Sequence, residues 1–378
     1  MRFNGFIDNW KVYTINDITK FCGGGTPTTK NKLYWNGNIP WISSADLLDD
    51  DIRSININRY ITKEAILNSS TKLCPKGTIC IVSRVGVGKV AVSECELCTS
   101  QDFMNIIDFN GNNYFLAQLL QNKIKSSQLQ GTSIKGITSK EIKNLKVYIP
   151  HTKEQDKITD FLSLIDERIV AQNKIIEDLV LQKKHIISSL FESLKNNKKI
   201  YLNDILFDYN VKTTINNEYP VLSSTSSGIF LQSDYFNKEA ASENTIGYKI
   251  IPRGYCTYRS MSDTGTFTFN TQNLIKKGIV SPAYPVFSSN EYVNEFIVLY
   301  LNNSSDVKKQ ILELKSGGTR FSLPFSTLCT LKIPKLDKEK QLELVKIVTV
   351  FESNIENEKE ILKKLKQQKC YLLNNMFI

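Results

Sequence analysis

Several groups of residues in this 378-residue chain have types that could do chemistry, and each stops short of a working constellation. Cys95-Glu96-Leu97-Cys98, with Cys74 and Cys80 upstream, supplies the four thiols that a structural zinc ion takes. Cys74 and Cys80 are not a close pair, however, and Cys80 sits inside the apolar run Ile79-Cys80-Ile81-Val82, the setting of a core thiol. Asp46, Asp49, Asp50 and Asp51 cluster in one stretch, a pattern that belongs to a solvated loop more than to an acid-base pair. Gly86-Val87-Gly88-Lys89 and Cys22-Gly23-Gly24-Gly25 lack the phosphate-loop spacing that ends in Gly-Lys-Ser/Thr before a helix. A turn, or a close backbone contact with a ligand, is their expected use. The two histidines, His151 and His185, leave almost no material for a Ser-His-Asp or metal-histidine arrangement. No Asn-Pro-Pro-aromatic or Asp-Pro-Pro-aromatic tetrapeptide occurs, of the kind amino-methyltransferases use to hold an extruded base. The chain reads as a recogniser, with neither catalytic residues nor metal ligands expected.

The elements that would position a recognition surface are written twice. A constant offset carries Ile158 onto Leu344, Leu162 onto Val348, Ile165 onto Phe351, Ile169 onto Ile355, Ile176 onto Leu362, Leu179 onto Leu365, Ile186 onto Leu372 and Leu190 onto Met376. Steps of four and three over about four heptads predict a coiled-coil seam. The same offset pairs Gln172 with Glu358 and Lys183 with Lys369, so both seams carry polar residues at the same two levels, the kind that fix register and partner. In an antiparallel pair Glu358 is expected to face Lys183, and Gln172 to face Lys369.

Upstream of each helix the repeat is looser. Thr14-Ile15-Asn16-Asp17-Ile18 resembles Tyr201-Leu202-Asn203-Asp204-Ile205, and Ile39-Pro40-Trp41-Ile42-Ser43-Ser44 resembles Tyr219-Pro220-Val221-Leu222-Ser223-Ser224. Cys74-Pro75-Lys76-Gly77 resembles Ile251-Pro252-Arg253-Gly254, and Gly131-Thr132-Ser133 resembles Gly318-Thr319-Arg320. Residues 79–82, 89–92, 103–107, 145–149 and 266–269 read as strands; residues 113–125 and 290–301 read as amphipathic helices. The class is α+β, divided as 1–151 (first globular unit), 152–196 (central helix), 197–335 (second globular unit) and 336–378 (C-terminal helix).

Forty-eight Lys and Arg against 38 Asp and Glu give a formal charge of +10, which permits nucleic-acid binding without proving it. There is no run of eighteen apolar residues, and Met1-Arg2-Phe3-Asn4-Gly5 does not open a signal peptide, so a soluble, cytoplasmic protein is expected. Its eight cysteines are then expected to be reduced.

Cys22-Gly23-Gly24-Gly25-Thr26-Pro27-Thr28-Thr29-Lys30, followed by Tyr34-Trp35-Asn36-Gly37-Asn38-Ile39-Pro40-Trp41-Ile42-Ser43, resembles the opening of target recognition domains in type I restriction-modification specificity subunits. Residues 131–137, leading through Leu145-Lys146-Val147-Tyr148-Ile149-Pro150 to Glu154-Gln155, resemble the passage of those domains into their spacer helix. The second unit departs from the pattern: Leu222-Ser223-Ser224-Thr225-Ser226-Ser227-Gly228 replaces the longer opening, and Lys340-Gln341 stands where the first helix has Glu154-Gln155.

The resemblance implies two globular target recognition domains separated by two long antiparallel coiled-coil helices, a pseudo-twofold internal repeat. Each domain would read one half of a split asymmetric DNA site. Helices of about forty residues span roughly 60 Å and would act as a ruler for the unread gap. It also implies a non-catalytic subunit that binds two methyltransferase subunits, which modify adenine, and that two ATP-dependent restriction subunits can join. S-adenosylmethionine, ATP and Mg would belong to those partners.

Arg and Lys can bond guanine edges, Asn and Gln adenine edges, and Ser, Thr and backbone amides can position phosphates. The expected DNA-binding residues of the first unit are Thr26, Lys30, Ser43, Ser44, Ser83, Arg84, Lys89, Gln101, Thr132, Ser133 and Lys135. Those of the second are Ser223, Ser224, Tyr258, Arg259, Ser260, Tyr284, Arg320 and Ser322. Two alternatives stay open: a methylation-only or related phage-defence complex, and a coiled-coil scaffold without sequence-specific binding.

Overall fold

The computed structural model describes residues 2–128, 136–235, 244–314 and 321–377. The chain divides into two compact units, residues 1–173 with 360–378, and residues 174–359. Among the described residues no helix is long and apolar enough to cross a membrane.

In the first unit the strand Ile79–Val82 is a continuous apolar run because both of its faces are buried. Ile79 and Ile81 join the larger core, while Cys80 and Val82 join a smaller one around Ile42, Leu47 and Leu97. It lies between Phe103–Phe109 and Val90–Val92 in an antiparallel sheet that Thr19–Gly23 completes. A second sheet places Ile39–Ile42 between Tyr60–Ile61 and Cys98–Thr99. Helix Asn113–Gln128 puts Phe115, Leu116, Leu119 and Leu120 against the larger core.

The second unit has an antiparallel sheet in the order Leu206–Asp208, Val286–Ser289, Cys256–Tyr258, Phe269–Thr271. Its core is aromatic, with Tyr258, Phe269, Phe287, Phe296 and Tyr300 buried together. Two expected boundaries shift here. The strand expected over 266–269 starts at Phe269, because Gly265 turns the chain with φ +78° and Thr266 N–H goes to the Thr264 hydroxyl. The helix expected from Asn290 starts at Asn294, since Ser289 Oγ takes the amides of Glu291 and Tyr292 in a turn, and Val293 N–H is held by Gln341.

The internal repeat is structural. Residues 11–149 open on a strand paired antiparallel with the strand that ends them, Lys11–Thr14 with Lys146–Ile149, and residues 199–334 do the same with Lys199–Tyr201 and Lys332–Pro334. In each, a one-turn helix follows, anchored by Ile15 N–H on Leu145 O at 3.0 Å and by Leu202 N–H on Leu331 O at 2.9 Å. Gly77 and Gly254 make the same left-handed turn, with φ +87° and +86°. Asn113 and Asn294, each opening the following helix, donate to those glycine carbonyls at 2.9 and 2.8 Å. Gln155 and Gln341 are both buried; each donates five residues back, to Pro150 O and Leu336 O, and accepts the amide of Asn112 or Val293. The repeat around Gly131 and Gly318 lies outside the described residues.

The long helices are Thr152–Ser193 and Lys338–Met376. Every expected seam residue is buried or half-buried, including Gln172 and Lys369. In the first unit Ile158, Leu162 and Ile165 pack with Leu372, Met376 and Phe377; in the second, Ile187 and Phe191 pack with Leu344 and Val348. The start of one helix thus meets the end of the other, and the pair runs antiparallel. The ion pairs correct the expected register by about six residues: Lys369 binds Asp166 at 2.6 Å and Lys183 binds Glu352 at 2.6 Å. Both carboxylates stand one position off the seam. Each seam lysine reaches sideways to a carboxylate on the rim, rather than across to the opposite polar seam position, and so is paired where it leaves bulk water.

Candidate nucleic-acid interface

In the first unit a run of backbone hydrogen bonds gathers four polar segments from distant parts of the chain. Gly25 N–H donates to Thr99 O at 2.8 Å, and Trp41 Nε1 donates to Gly25 O at 2.9 Å. Ser100 N–H donates to Ile42 O at 2.9 Å, and Ser83 N–H to Asp102 O at 2.8 Å. Thr26, Ser43, Ser83, Arg84 and Gln101 are thereby brought to one edge. The Thr26 hydroxyl donates to the Gln101 side-chain oxygen, tying two expected DNA contacts to each other. Gly136 enters the same edge so closely that a Cβ there would lie 2.8 Å from Ser83 O, and Ile137 N–H bonds Ser83 O at 2.9 Å.

In the run Cys22-Gly23-Gly24-Gly25 the missing side chains serve a close approach of the chain to its own backbone. A Cβ on Gly24 would sit 2.0 Å from Ser100 O, and one on Gly25 would sit 2.4 Å from Thr71 N. These glycines let the chain cross its own backbone and hold Thr26 beside Gln101.

Arg84 is exposed beside Ser83, and Lys30 is exposed in the turn Thr29-Lys30. Ser44 starts a one-turn helix, Ser44–Asp46. Lys89 is not free to reach a groove: its ammonium donates to Leu47 O at 2.9 Å. Ser83 is buried, with its hydroxyl on Asp102 O. Thr132, Ser133 and Lys135 lie outside the described residues.

In the second unit a groove of about 300 Å³ brings Ser224 and Arg259 together with Thr225, Ser262 and Thr264. It is built by the hairpin Leu222–Thr225 with Gly228–Leu231, locked by Asn270, whose side chain donates to Ser224 Oγ at 2.8 Å and Thr225 O at 2.9 Å. Arg259 is exposed at its rim; Ser223 is half-buried within the hairpin. Ser260 turns away to Ala283 O, Tyr284 packs on the small core of Leu222 and Val286, and Ser322 is exposed beside Met261. Arg320 lies outside the described residues.

Tyr258 corrects the expectation. It is fully buried, its ring packs on Phe269 and Phe287, and its hydroxyl donates to Leu323 O at 2.9 Å. The aromatic core that covers its ring leaves no path from this side chain to a base.

Among the described residues no three His, Cys, Asp or Glu side chains gather as a metal site. Burial pushes the Cys74 thiol up to about 12 and that of Cys98 up to about 11, so both stay protonated at neutral pH.

One residue of this edge escaped the sequence reading. Arg59 immediately precedes the two-residue strand Tyr60–Ile61; its Nη2 donates to Ser43 Oγ at 2.7 Å and to the Asp46 carboxylate, and its guanidinium lies over Trp41, 4.6 Å from the ring centroid. Nothing in its neighbours, Asn58 and Tyr60, marks it out; its role comes from the fold returning it to Trp41.

Residues 7–180 match the Type I restriction modification DNA specificity domain. The type I restriction enzyme MjaIX specificity subunit of Methanocaldococcus jannaschii is 36% identical over 211 residues, 52% of this chain and 48% of that protein. The chain thus spans about half the length of this curated relative. Among solved structures, a chain of a type I R-M system superposes with TM-score 0.65 at 14% identity, over 98% of this chain and 97% of its own. The S subunit of the type I restriction-modification system from M. genitalium gives 0.52 at 16% identity, over 99% and 97%. The family match thus covers residues 7–180, and the fold of these two solved chains extends over the whole chain.

Proposed function

We propose that this chain is the DNA-recognition subunit of a type I restriction-modification complex. Each unit reads one half of a bipartite asymmetric site, and the chain itself carries no catalytic machinery. The observation that carries this reading is the combination of a repeated frame with unlike edges. Gly77 and Gly254, Asn113 and Asn294, and Gln155 and Gln341 repeat one scaffold. Its polar edge, by contrast, is a strip around Arg84 in one unit and a hydroxyl-lined groove under Arg259 in the other. A frame used twice with different readers suits a target of two different halves. The antiparallel helices are the ruler for the gap between them. Two methyltransferase subunits bring S-adenosylmethionine to methylate adenine, and two restriction subunits bring ATP and Mg.

The test is binding by the full chain with its partner subunits to duplexes randomised one position at a time. Arg84→Ala is expected to relax one position in one half-site and Arg259→Ala one position in the other, each by about 1–3 kcal/mol if the contact is bidentate. A uniform loss on all sequences would make either residue a phosphate contact. Relaxation of the same half-site by both variants would contradict the division of labour.

A further inference from the structure

We infer that Ser224 is a specificity-determining residue of the second unit, a hydroxyl whose proton Asn270 leaves to the groove, where it reads an acceptor on a base edge; this rests on the DNA-recognition reading above. Asn270 is its positioning residue. Both contacts of the Asn270 side chain are made by Nδ2, to Ser224 Oγ at 2.8 Å and to Thr225 O at 2.9 Å. A carbonyl oxygen can only accept, so the Thr225 contact fixes which end of the amide faces the hairpin. The same nitrogen then donates to Ser224, whose oxygen must accept. Asn270 is itself held. Its strand pairs with Cys256–Tyr258, and Asn302 grips the preceding residue, taking Phe269 N–H at 2.9 Å and donating to Phe269 O at 2.8 Å.

A serine hydroxyl has one proton and two lone pairs. Asn270 fills one lone pair, and among the described residues no acceptor takes the proton. Thr225 differs, since its hydroxyl donates to Gly228 O at 3.0 Å and takes Ser227 N–H at 3.1 Å within the hairpin turn. Ser224 is half-buried and lines the groove, whereas Asn270 does not, so the amide reaches the hydroxyl from outside the groove. A donor shut away from water without a partner costs more than a second lone pair left empty, so DNA that closes this groove has to bring an acceptor. Guanine O6 and N7, adenine N7 and thymine O4 are such acceptors. The Asp263 carboxylate lines the same groove and repels a phosphate there, which leaves a base edge as the partner.

The experiment is a competition-binding measurement with the full chain and its partner subunits, using duplexes substituted at each position of both half-sites. Ser224→Ala removes the donor and is expected to lower discrimination at one position of one half-site by roughly three- to tenfold, with the other half-site and binding to unrelated DNA unchanged. Asn270→Asp puts an acceptor beside the hydroxyl and draws its proton away from the groove. Whatever even loss its charge brings, it is expected to lower discrimination at that same position by a similar factor. The double variant is expected to lose no more discrimination than the larger single loss, because both substitutions withdraw one donor. Thermal melting shows which variants fold; if Asn270→Asp does not, Asn270→Ala takes its place in the cycle, with a smaller loss expected at that position. Wild-type discrimination at every position in Ser224→Ala would overturn the assignment, as would an even loss on all sequences in that variant, which marks a phosphate contact. Losses that multiply in the double variant would overturn it too, since they leave Asn270 as a lock on the hairpin alone. If the wild-type complex itself discriminated at no position, the DNA-recognition reading would fall and this assignment with it.

Discussion

Lys369 offers the sharpest energetic prediction, because a cation in the helix seam holds two segments of the first unit. Its ammonium is bonded to Asp166 Oδ1 at 2.6 Å and to Asp50 O at 3.0 Å, and the residue is only 7% exposed. Lys369→Met keeps the length and apolar stem while removing both contacts. Breaking a fully buried pair costs about 3–5 kcal/mol because the remaining charge is stranded. Asp166 keeps 22% side-chain exposure and can recover part of its hydration, so roughly half of that cost, about 2 kcal/mol, is expected. The Asp50 carbonyl, losing its donor, adds about 1 kcal/mol. The assay is urea unfolding followed by circular dichroism for Lys369→Met, Asp166→Leu and the double variant. The double variant should be less destabilised than the sum of the singles by about 1–3 kcal/mol, since it strands no charge. Additivity within about 0.5 kcal/mol would refute the view that this pair acts as a unit.

Gln341→Leu removes one donor and one acceptor bond in a buried site and is expected to cost about 2 kcal/mol of stability, as should Gln155→Leu in the first unit; a cost below about 0.5 kcal/mol for both, measured by urea unfolding, would remove them as anchors. Asp51 is pushed up by burial, but hydrogen bonds from Ser54 and the amides of Arg53 and Ser54, aided by Lys369, outweigh this and lower its pKa overall. A depressed carboxylate stabilises the fold above its ordinary value, about 3.9, and that contribution is lost as pH falls through the lowered value. Asp51→Asn should therefore flatten the acid limb of stability against pH, and an unchanged limb would count against it. A maleimide at neutral pH should label exposed Cys370 first, while Cys80 and Cys256 react only on unfolding. Both are fully buried, and burial pushes the Cys256 thiol up to about 12 and Cys80 higher still. Equal labelling rates for Cys80 and Cys370 would contradict their placement.

The long helices were legible because their pattern is local: apolar steps of four and three name the buried face whatever lies opposite. The ion pairs were not, since Lys369 and Lys183 reach to Asp166 and Glu352 on the rim, positions that a seam drawn on heptads leaves out. Short anchors such as Gly77 and Gly254 could be read as a repeat, but their shared φ and the Asn113 and Asn294 bonds to them are tertiary facts. At the candidate interface, residue type alone could not separate Arg84, exposed, from Lys89, spent on Leu47 O, or from Tyr258, enclosed in the aromatic core. Arg59 was illegible for the converse reason. Its partners Trp41, Ser43 and Asp46 are far from it in sequence, and only the pairing of Ile39–Ile42 with Tyr60–Ile61 brings them together.

The central claim is that each unit reads its own half of the site, and mapping N6-methyladenine across the genome of cells that express a chimera tests it most directly. The chimera replaces residues 200–333 with the equivalent segment of a relative and keeps both long helices, co-expressed with the methyltransferase subunits. The account predicts a bipartite motif in which one half changes while the other half and the length of the gap persist. A motif changed in both halves, or an unchanged motif from a folded, active chimera, would contradict it.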